Sequence, residues 1–426
     1  MPSRLAAHTK RRTASALQAV ALPLIAHRKR LPRPVRSFLR KAHDALPLRV
    51  RRAMRDQPLT ILDELLPERP PVPDTAVRLL VGPANFAGQG WLWARAVELE
   101  LPGVGAQAYA FVKGSLDFPV DYGVPVALYA KSQRWQEDQE RHVLSSYTHV
   151  LIEAGRPIFG TRYGSTCANE IPLLRRAGLQ VALISHGSDL RVPSRHAQMY
   201  LDSPFHDLEW ESVPILERTS NLNAKLFNSF GGHTFVSTLD LLDYAPRAVW
   251  CPGVVDVEYW ATEAPPLERP VPVVAHAPSK GRLKGSQLVD PIMEDLNRRG
   301  VVEYRRIERV EPHDMAGVYK GADIVIDQFT MGLYGVAACE AMAAGRIVVS
   351  FVGDTVRARA REITGREVPI VEATPATLVE VLEKILDDRD AARDAAAAGP
   401  SYVRENHDGR RSAAALAPFL TGTSRG

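Results

Sequence analysis

Short apolar runs, each followed by a turn and a helix-forming segment, recur along the chain from residue 77 onward. The runs are rich in β-branched residues and do not alternate with polar positions, which is the pattern of parallel strands covered on both faces. We expect strands at 77–81, 106–112, 124–129, 149–152, 180–185, 235–240, 271–277, 324–326 and 347–351. The pattern therefore predicts an α/β fold that is built on parallel sheets.

The segment 322–350, ADIVIDQFTMGLYGVAACEAMAAGRIVVS, places a glycine-bearing loop and a helix between two of these strands. Gly332 and Gly335 let the loop turn tightly and bring backbone N–H groups close to a ligand. Ligands of open parallel sheets bind beyond the carboxyl ends of the strands, where an anion also meets the N-terminus of a helix. Glu340 is therefore a candidate for binding a ribose, and the alternative is an ordinary crossover with a surface glutamate.

Polar residues also follow the predicted strand 180–185. His186 comes at its carboxyl end, where such sheets carry out chemistry, and the alternative is a structural histidine. Arg191 and Arg195 follow a few residues later. They either face an anionic acceptor or are solvated surface charges, and the sequence leaves that choice open.

The stretch 332–350 resembles the donor-site signature of family 4-type glycosyltransferases, E-G-F-G-x-x-x-x-E-A-M-A-x-G-x-P-V-V. The resemblance implies the GT-B fold, in which two Rossmann-like, doubly wound domains face a cleft. In that family the second glutamate holds the nucleotide ribose, the Gly-aromatic-Gly loop lies against the diphosphate, and the first glutamate contacts the donor sugar. These positions correspond here to Glu340, to Leu333, Tyr334 and Gly335, and to Gly332.

Asp327 ends the strand before this loop and is a candidate to replace the carboxylate that Gly332 lacks. The alternative for Asp327 is a bond to a backbone amide at the strand end. The segment that begins at His186, His-Gly-Ser-Asp, is similar to the family's His-Gly-x-Asp segment. That histidine contacts the donor sugar or phosphate from across the cleft, so the resemblance favours a functional His186.

The loop 278–285, PSKGRLKG, is similar to the family's G-R-L-x-x-x-K-G, whose Arg and Lys neutralise the leaving diphosphate. Lys284 matches the lysine, whereas the arginine position is Ser279. Arg282 and Lys280 are then candidates for the second positive charge, unless the loop is simply solvated.

GT-B enzymes normally begin with a strand and a glycine loop that faces the cleft, as residues 77–90 do here. Gly88 and Gly90 are the candidate ligand-binding residues of this loop, although a glycine loop is by itself a weak signal. Asp256 matches the turn that enters the hinge between the domains, which favours a hinge or capping role over a catalytic one.

A length of 426 residues exceeds one ordinary core and predicts two domains with extensions. The apolar content of 45% and charged content of 24% are typical of soluble globular proteins. Three cysteines without a CxxC spacing indicate neither a zinc site nor a disulfide framework and favour a reducing cytosol. We expect a basic extension and linker at 1–73, an acceptor-side domain at 74–265, a donor domain at 266–400 and a terminal helix or tail at 401–426.

Positive charge is concentrated in residues 1–58, where fifteen Lys and Arg against two Asp give a net charge of +13, compared with +4 for the whole chain. The apolar run at 14–26 is too short to span a bilayer, and basic residues follow it where a signal peptide would have its cleavage site. The hypothesis is a helix on an anionic membrane surface. The alternatives are a disordered basic tail and a start codon assigned too early. Nucleic acid is disfavoured, because the segment has one Phe and no Tyr or Trp for base stacking.

Together, the residues and the resemblance predict a retaining, metal-independent glycosyltransferase that uses a UDP- or GDP-sugar and needs no cofactor. The acceptor would be a saccharide or a lipid-linked saccharide, and the protein would be cytoplasmic, at the inner face of the plasma membrane if residues 1–58 bind it. Lys284 and Arg282 would stabilise the departing diphosphate, and His186, Asp327 and Glu340 would orient the donor. The alternatives are an epimerase-like enzyme of the same architecture and a non-catalytic, nucleotide-binding or membrane-associated scaffold.

Overall fold

The computed structural model describes residues 66–112, 118–207, 209–278, 281–308 and 310–422, all within one compact unit, Leu62–Gly426. Two parallel sheets, of seven and five strands, organise this unit into two lobes. The hypothesis for residues 1–58 lies outside the described residues, and so do the candidate Lys280 and the neighbouring Ser279.

The first sheet has the strand order β3-β2-β1-β4-β5-β6-β7. Its strands are β1 (Val77–Gly82), β2 (Val104–Val112), β3 (Tyr122–Pro125), β4 (His149–Glu153), β5 (Gln180–Ser185), β6 (Thr234–Val236) and β7 (Val249–Trp250). All neighbours pair in parallel. The central strands β1, β4 and β5 therefore end at one edge, and the loops that follow them meet there.

The second sheet has the strand order β12-β11-β10-β8-β9. Its strands are β8 (Val273–His276), β9 (Glu303–Arg306), β10 (Ile324–Ile326), β11 (Ile347–Ser350) and β12 (Val371–Glu372). They too pair in parallel, with β10 at the centre. The α/β fold with two Rossmann-like lobes is thereby confirmed.

Helices cover both faces of each sheet. They are α1 (Gln89–Glu100), α2 (Val126–Lys131), α3 (Gln133–Ser146), α4 (Ile171–Arg176), α5 (Pro193–Met199), α6 (Val213–Ser229), α7 (Val257–Trp260), α8 (Gly281–Lys284), α9 (Ser286–Arg298), α10 (Met315–Lys320), α11 (Val336–Ala343), α12 (Asp354–Thr364), α13 (Leu378–Asp387), α14 (Arg389–Asn406) and α15 (Arg410–Thr421). Short 3-10 helices lie at Phe86–Gly88, Cys167–Asn169, Pro204–His206, Leu239–Asp243 and Pro312–Asp314. In the part of the chain that the structure describes, no helix is long and apolar enough to cross a membrane.

Two of the expected strands are wrong in part. The expected strand 124–129 is strand only to Pro125, and the helix Val126–Lys131 begins directly after it, since a short apolar run packs equally well as a buried helix. The expected strand 235–240 ends at Val236 and is followed by the 3-10 helix Leu239–Asp243. There Asp240 is buried as the partner of Arg191.

The C-terminal helices join the two lobes. The helix α14 packs on α11 in the second lobe and continues past residue 400, where the sequence analysis placed a boundary. The next helix, α15, packs against α1 in the first lobe, and Leu416 and Phe419 belong to the same core as Trp93 of α1. The chain thus returns to its first lobe before it ends.

Candidate functional site

Glu153, the last residue of β4, is the centre of a hydrogen-bonded cluster at the carboxyl edge of the first sheet. Its side chain is fully buried. Its Oε2 accepts hydrogen bonds from the backbone N–H groups of Ala84 at 2.8 Å and Asn85 at 2.9 Å. Its Oε1 lies 2.8 Å from Nε2 of His186. A carboxylate without water needs such partners, and here they tie together the loops that follow β1 and β5.

His186 is held on several sides at this edge. Its ring packs against those of Phe86 and Trp93, with centroids 5.2 Å and 5.1 Å away. Its backbone N–H donates to Oδ1 of Asp189 at 3.0 Å. The side chain is 8% exposed. His186 therefore lies at the predicted edge, with a carboxylate partner that the sequence analysis did not identify.

The glycine loop after β1 serves this cluster. A Cβ atom on Gly90 would lie 2.9 Å from Oε1 of Glu153, so that position needs a residue without a side chain. Gly88 has a φ of 72° and precedes α1 as its N-cap. Because Glu153 already binds the N–H groups of Ala84 and Asn85, these two amides are not open to a phosphate. The ligand-binding role of Gly88 and Gly90 stays a prediction.

A second cluster lies at the carboxyl edge of the second sheet. The ammonium of Lys284, at the end of α8, pairs with the carboxylate of Asp327, which follows β10. Phe329 donates its N–H to the carbonyl of Lys284 at 3.0 Å, and the Thr330 hydroxyl donates to the carbonyl of Leu283 at 2.6 Å. The two loops that bear Lys284 and Asp327 are thereby held against each other, and the partner of the Asp327 side chain is a lysine rather than a backbone amide.

Glu340 of α11 belongs to the same cluster. Burial raises the pKa of Glu340 to about 8; the charge of Lys284 opposes this rise and that of Asp327 adds to it. Within the described ranges, its carboxylate makes no hydrogen bond. The structure therefore brings together Lys284, Asp327 and Glu340, which the sequence analysis had named separately.

The loop between β10 and α11 faces the first lobe. Gly332 has a φ of 63°, and a Cβ atom on it would overlap the ring of Tyr200. A Cβ atom on Gly353, after β11, would lie 2.7 Å from the Tyr200 hydroxyl. Tyr200 also packs edge-to-face on Phe351 at 5.4 Å between ring centroids. Sequence reasoning missed Tyr200, which follows α5 and contacts the second lobe where Gly332 leaves space.

The other predicted loop residues have partners of their own. The carbonyl of Leu333 accepts a hydrogen bond from the side-chain amide of Gln328. Tyr334 is buried, and its hydroxyl lies 3.1 Å from that of Tyr402 on α14. The ring of Tyr334 thus packs into the second lobe, while Gly335 precedes α11 as its N-cap.

Arginines predicted near the cleft form ion pairs. Arg282 pairs with Asp207 of the first lobe and lies over the ring of Trp210, 5.4 Å from its centroid. Arg191 is buried and binds Oδ2 of Asp240 through two nitrogens, at 2.8 Å and 2.6 Å, so it is not a solvated surface charge.

Arg195 is exposed and donates to the carbonyl of Asp243 at 3.0 Å. Asp256 accepts from the N–H of Tyr259 at 3.1 Å and so caps α7, as expected. Among the described residues, no group of three or more His, Cys, Asp or Glu side chains is arranged to hold a metal ion.

Two lobes with parallel sheets, whose carboxyl-edge loops touch through Tyr200 and Arg282, define the GT-B type of α/β architecture. The fold is similar to solved glycosyltransferase structures. Sucrose-phosphate synthase from Thermosynechococcus elongatus superimposes with a TM-score of 0.54 and 13% identity, over 81% of this chain and 98% of that chain. HepE of Anabaena in complex with UDP-glucose superimposes with a TM-score of 0.51 and 13% identity, over 81% of this chain and 99% of that chain. A glycosyltransferase from Rickettsia africae superimposes with a TM-score of 0.50 and 12% identity, over 81% of this chain and 98% of that chain.

At these identities the likeness shows the fold alone. No protein-family model matches the chain, and no curated protein matches it in sequence.

Proposed function

We propose that this protein is a glycosyltransferase that transfers a sugar from a UDP- or GDP-sugar to a saccharide or a lipid-linked saccharide. The observation that carries the proposal is the cluster of Lys284, Asp327 and Glu340 at the edge where parallel sheets bind nucleotides. The shared fold with sucrose-phosphate synthase and with UDP-glucose-bound HepE supports it. Residues 74–265 are then the acceptor-side domain and residues 266–400 the donor domain, which α14 extends to Asn406, and the terminal helix and tail follow.

Lys284 binds the diphosphate in this proposal. Its side chain is 19% exposed, so an anion from solvent reaches the ammonium, and the doubly charged diphosphate competes with the single carboxylate of Asp327. The positive end of α11 adds to the attraction, and the loop 332–335 supplies backbone along the phosphates. Arg282 joins them after leaving Asp207. These fixed charges stabilise the diphosphate as it departs, so the reaction needs no divalent metal.

Glu340 binds the ribose. With a pKa of about 8, its carboxyl group is largely protonated at neutral pH and offers one O–H donor besides its acceptor oxygens. Neighbouring ribose hydroxyls each donate and accept, so they match both capacities. The carboxyl group is free to do so because no described residue occupies it.

The reaction proceeds with retention of configuration. The bond between the anomeric carbon and the diphosphate oxygen breaks, and the bond to the acceptor oxygen forms on the same face of the sugar. The departing diphosphate oxygen takes the proton of the acceptor hydroxyl. His186 contacts the sugar from the first lobe, and Asp327, once Lys284 has moved to the diphosphate, orients the sugar from the second.

Calorimetry with UDP, UDP-sugars and GDP-sugars in EDTA tests the donor site. We expect saturable binding that falls about 100-fold in Lys284→Ala, because a charge-assisted contact is worth roughly 2–3 kcal/mol. Glu340→Ala removes the ribose contact and weakens binding by about ten-fold. Lys384→Ala, on an exposed helix face, is the matched control and leaves binding unchanged. Absence of binding by every sugar nucleotide would contradict the proposal, and an inverted product anomer, detected by NMR, would contradict retention.

The basic segment 1–58 attaches the protein to the cytoplasmic face of an anionic membrane in this proposal. Sedimentation with vesicles of anionic lipid is compared between the full chain and a chain that begins at Asp74. The full chain is expected in the pellet at low salt and in the supernatant at high salt, because the attraction is electrostatic. Equal sedimentation of the two chains would overturn the attachment.

A further inference from the structure

We propose that Glu153 is a positioning residue that keeps the imidazole proton of His186 on Nε2, so that Nδ1 accepts a hydrogen bond from a hydroxyl of the transferred sugar. The inference rests on the proposed function for the identity of the ligand. It concerns a residue that stands outside the donor cluster and that gives His186 a defined direction of hydrogen bonding.

The two carboxylate oxygens of Glu153 have different partners. Oε2 accepts two backbone N–H groups, which cannot reverse their direction, at 2.8 Å and 2.9 Å. Oε1 faces Nε2 of His186 at 2.8 Å. An ionised carboxylate only accepts hydrogen bonds, so the single proton of a neutral imidazole in this pair resides on Nε2. His186 is thereby left with a lone pair on Nδ1.

The surroundings keep this arrangement in place. Phe86 and Trp93 pack against the His186 ring, and Asp189 binds the backbone N–H of the same residue. A Cβ atom on Gly90 would lie 2.9 Å from Oε1 of Glu153, so the missing side chain of Gly90 leaves room for the carboxylate. These contacts hold the imidazole and the carboxylate in the orientation that places Nε2 opposite Oε1.

The direction of the Nδ1 hydrogen bond decides which part of the substrate it recognises. A phosphate oxygen that carries negative charge and no proton cannot donate to a lone pair. A sugar hydroxyl can donate, and its own oxygen still accepts from another group. The neutral Nε2–H tautomer thus assigns His186 to the sugar and leaves the phosphates to the second lobe.

The variant Glu153→Gln reverses the tautomer at nearly constant side-chain volume. The two backbone N–H groups of Ala84 and Asn85 require the amide oxygen at the Oε2 position. The amide nitrogen then faces His186 and donates to Nε2, and the imidazole proton moves to Nδ1. An analogous carboxylate holds the histidine tautomer in serine proteases, where the amide substitution preserves geometry but places the proton on the wrong nitrogen.

The first measurement is NMR of the full-length protein with labelled histidine at neutral pH, without ligand. The signal of His186, assigned by its loss in His186→Asn, is expected to report the Nε2–H tautomer in the parent protein and the Nδ1–H tautomer in Glu153→Gln. An imidazolium or an Nδ1–H tautomer in the parent protein would overturn the inference, whatever the protein binds.

The second measurement compares UDP with the UDP-sugar that binds best, by calorimetry. In Glu153→Gln the affinity for UDP is expected to stay constant, while that for the UDP-sugar falls roughly five-fold, the value of one misdirected hydrogen bond. An equal loss for both ligands would mean a phosphate contact, and no loss for either would mean that Nδ1 does not meet the sugar. Both results overturn the inference and leave the donor site intact.

A pair of histidine variants is the control for loss of affinity that is caused by misfolding. The amide of His186→Asn occupies the place of Nδ1, whereas that of His186→Gln reaches the place of Nε2 and keeps the contact with Glu153. The Asn variant is expected to retain more UDP-sugar affinity than the Gln variant, and the reverse order would overturn the assignment of Nδ1. If neither UDP nor any UDP- or GDP-sugar binds the parent protein, the proposed function and the sugar contact both fail, while the NMR result still decides the tautomer.

Discussion

The carboxylates at the two sheet edges are in opposite situations. Glu153 in the first lobe is fully buried, and its oxygens accept three hydrogen bonds. Glu340 in the second lobe makes none with described residues, and burial raises its pKa to about 8. Buried polar groups are normally hydrogen-bonded. The first edge is therefore complete without a ligand, whereas Glu340 is half-buried and in the proposed function takes its hydrogen-bond partners from the ribose.

Truncation of Glu153 is expected to have the largest effect on the stability of the first lobe. In Glu153→Ala, the N–H groups of Ala84 and Asn85 and the ring of His186 lose their acceptor while they stay buried. We expect the free energy of unfolding to fall by about 4 kcal/mol in urea titrations. Glu362→Ala, at an exposed position of α12, is the control and leaves the midpoint unchanged. A loss below about 1 kcal/mol in Glu153→Ala would mean that water replaces the carboxylate.

The pH dependence of stability tests the environment of Glu340 in the second lobe. Because the pKa of Glu340 is raised to about 8 in the folded protein, the folded state binds a proton that the unfolded state releases at lower pH. The contribution of protonated Glu340 to the free energy of unfolding is fully present below the pKa that this residue has in the unfolded chain, and it is lost as the pH rises toward 8. The free energy of unfolding is expected to fall between pH 5 and pH 8, by on the order of 3 kcal/mol from this residue.

Glu340→Gln provides the check on this assignment, because an amide does not titrate. The variant should have a flatter pH profile than the parent protein over the same window, measured by denaturation at several pH values. An unchanged slope would show that other groups cause the pH dependence. Saturation with UDP should alter the slope in the parent protein only, if the ribose contacts this carboxyl group.

The smallest effect concerns the contact between the edges. Gly332→Ala introduces a Cβ atom that overlaps Tyr200 at a positive φ, and we expect a loss of roughly 2 kcal/mol in the free energy of unfolding. Gly365→Ala has a similar φ of 72° but nothing within 4 Å of its Cβ, so it isolates the backbone cost of about 1 kcal/mol. Combining Gly332→Ala with Tyr200→Ala should remove the overlap penalty. Equal losses in the two glycine variants would show that Tyr200 moves aside freely.

The sequence predicted the strands best where apolar runs are long and bounded by turns, as in β5 and β10. It also placed His186 and Asp327 directly after strands and Glu340 just over one turn into the following helix, because the edge of a parallel sheet follows from strand direction. The strand predicted at 124–129 was wrong in part, since periodicity does not distinguish a short strand from a buried helix.

The partners of these residues were not predictable in the same way. Glu153 contacts residues 69 positions before it and 33 positions after it, and no local pattern encodes such contacts. The available signal was a charged residue at the end of the apolar run 149–152. Tyr200 of the first lobe contacts Gly332 of the second. The only signal in the sequence was the glycine itself, whose missing side chain leaves the space that the Tyr200 ring fills.

The return of the chain to its first lobe has a mechanical consequence. The lobes are joined covalently near Gly253 and again near His407, and these two crossings bind each other, with the Val255 N–H to the His407 carbonyl at 2.7 Å and His407 Nδ1 to the Gly253 carbonyl at 2.9 Å. Two crossings that are bonded side by side bring both covalent connections of the lobes to one place, which is where a hinge rotation between the lobes would have its axis. Burial lowers the pKa of His407 to about 4, so its imidazole stays uncharged across the physiological range and the two hydrogen bonds do not depend on pH there.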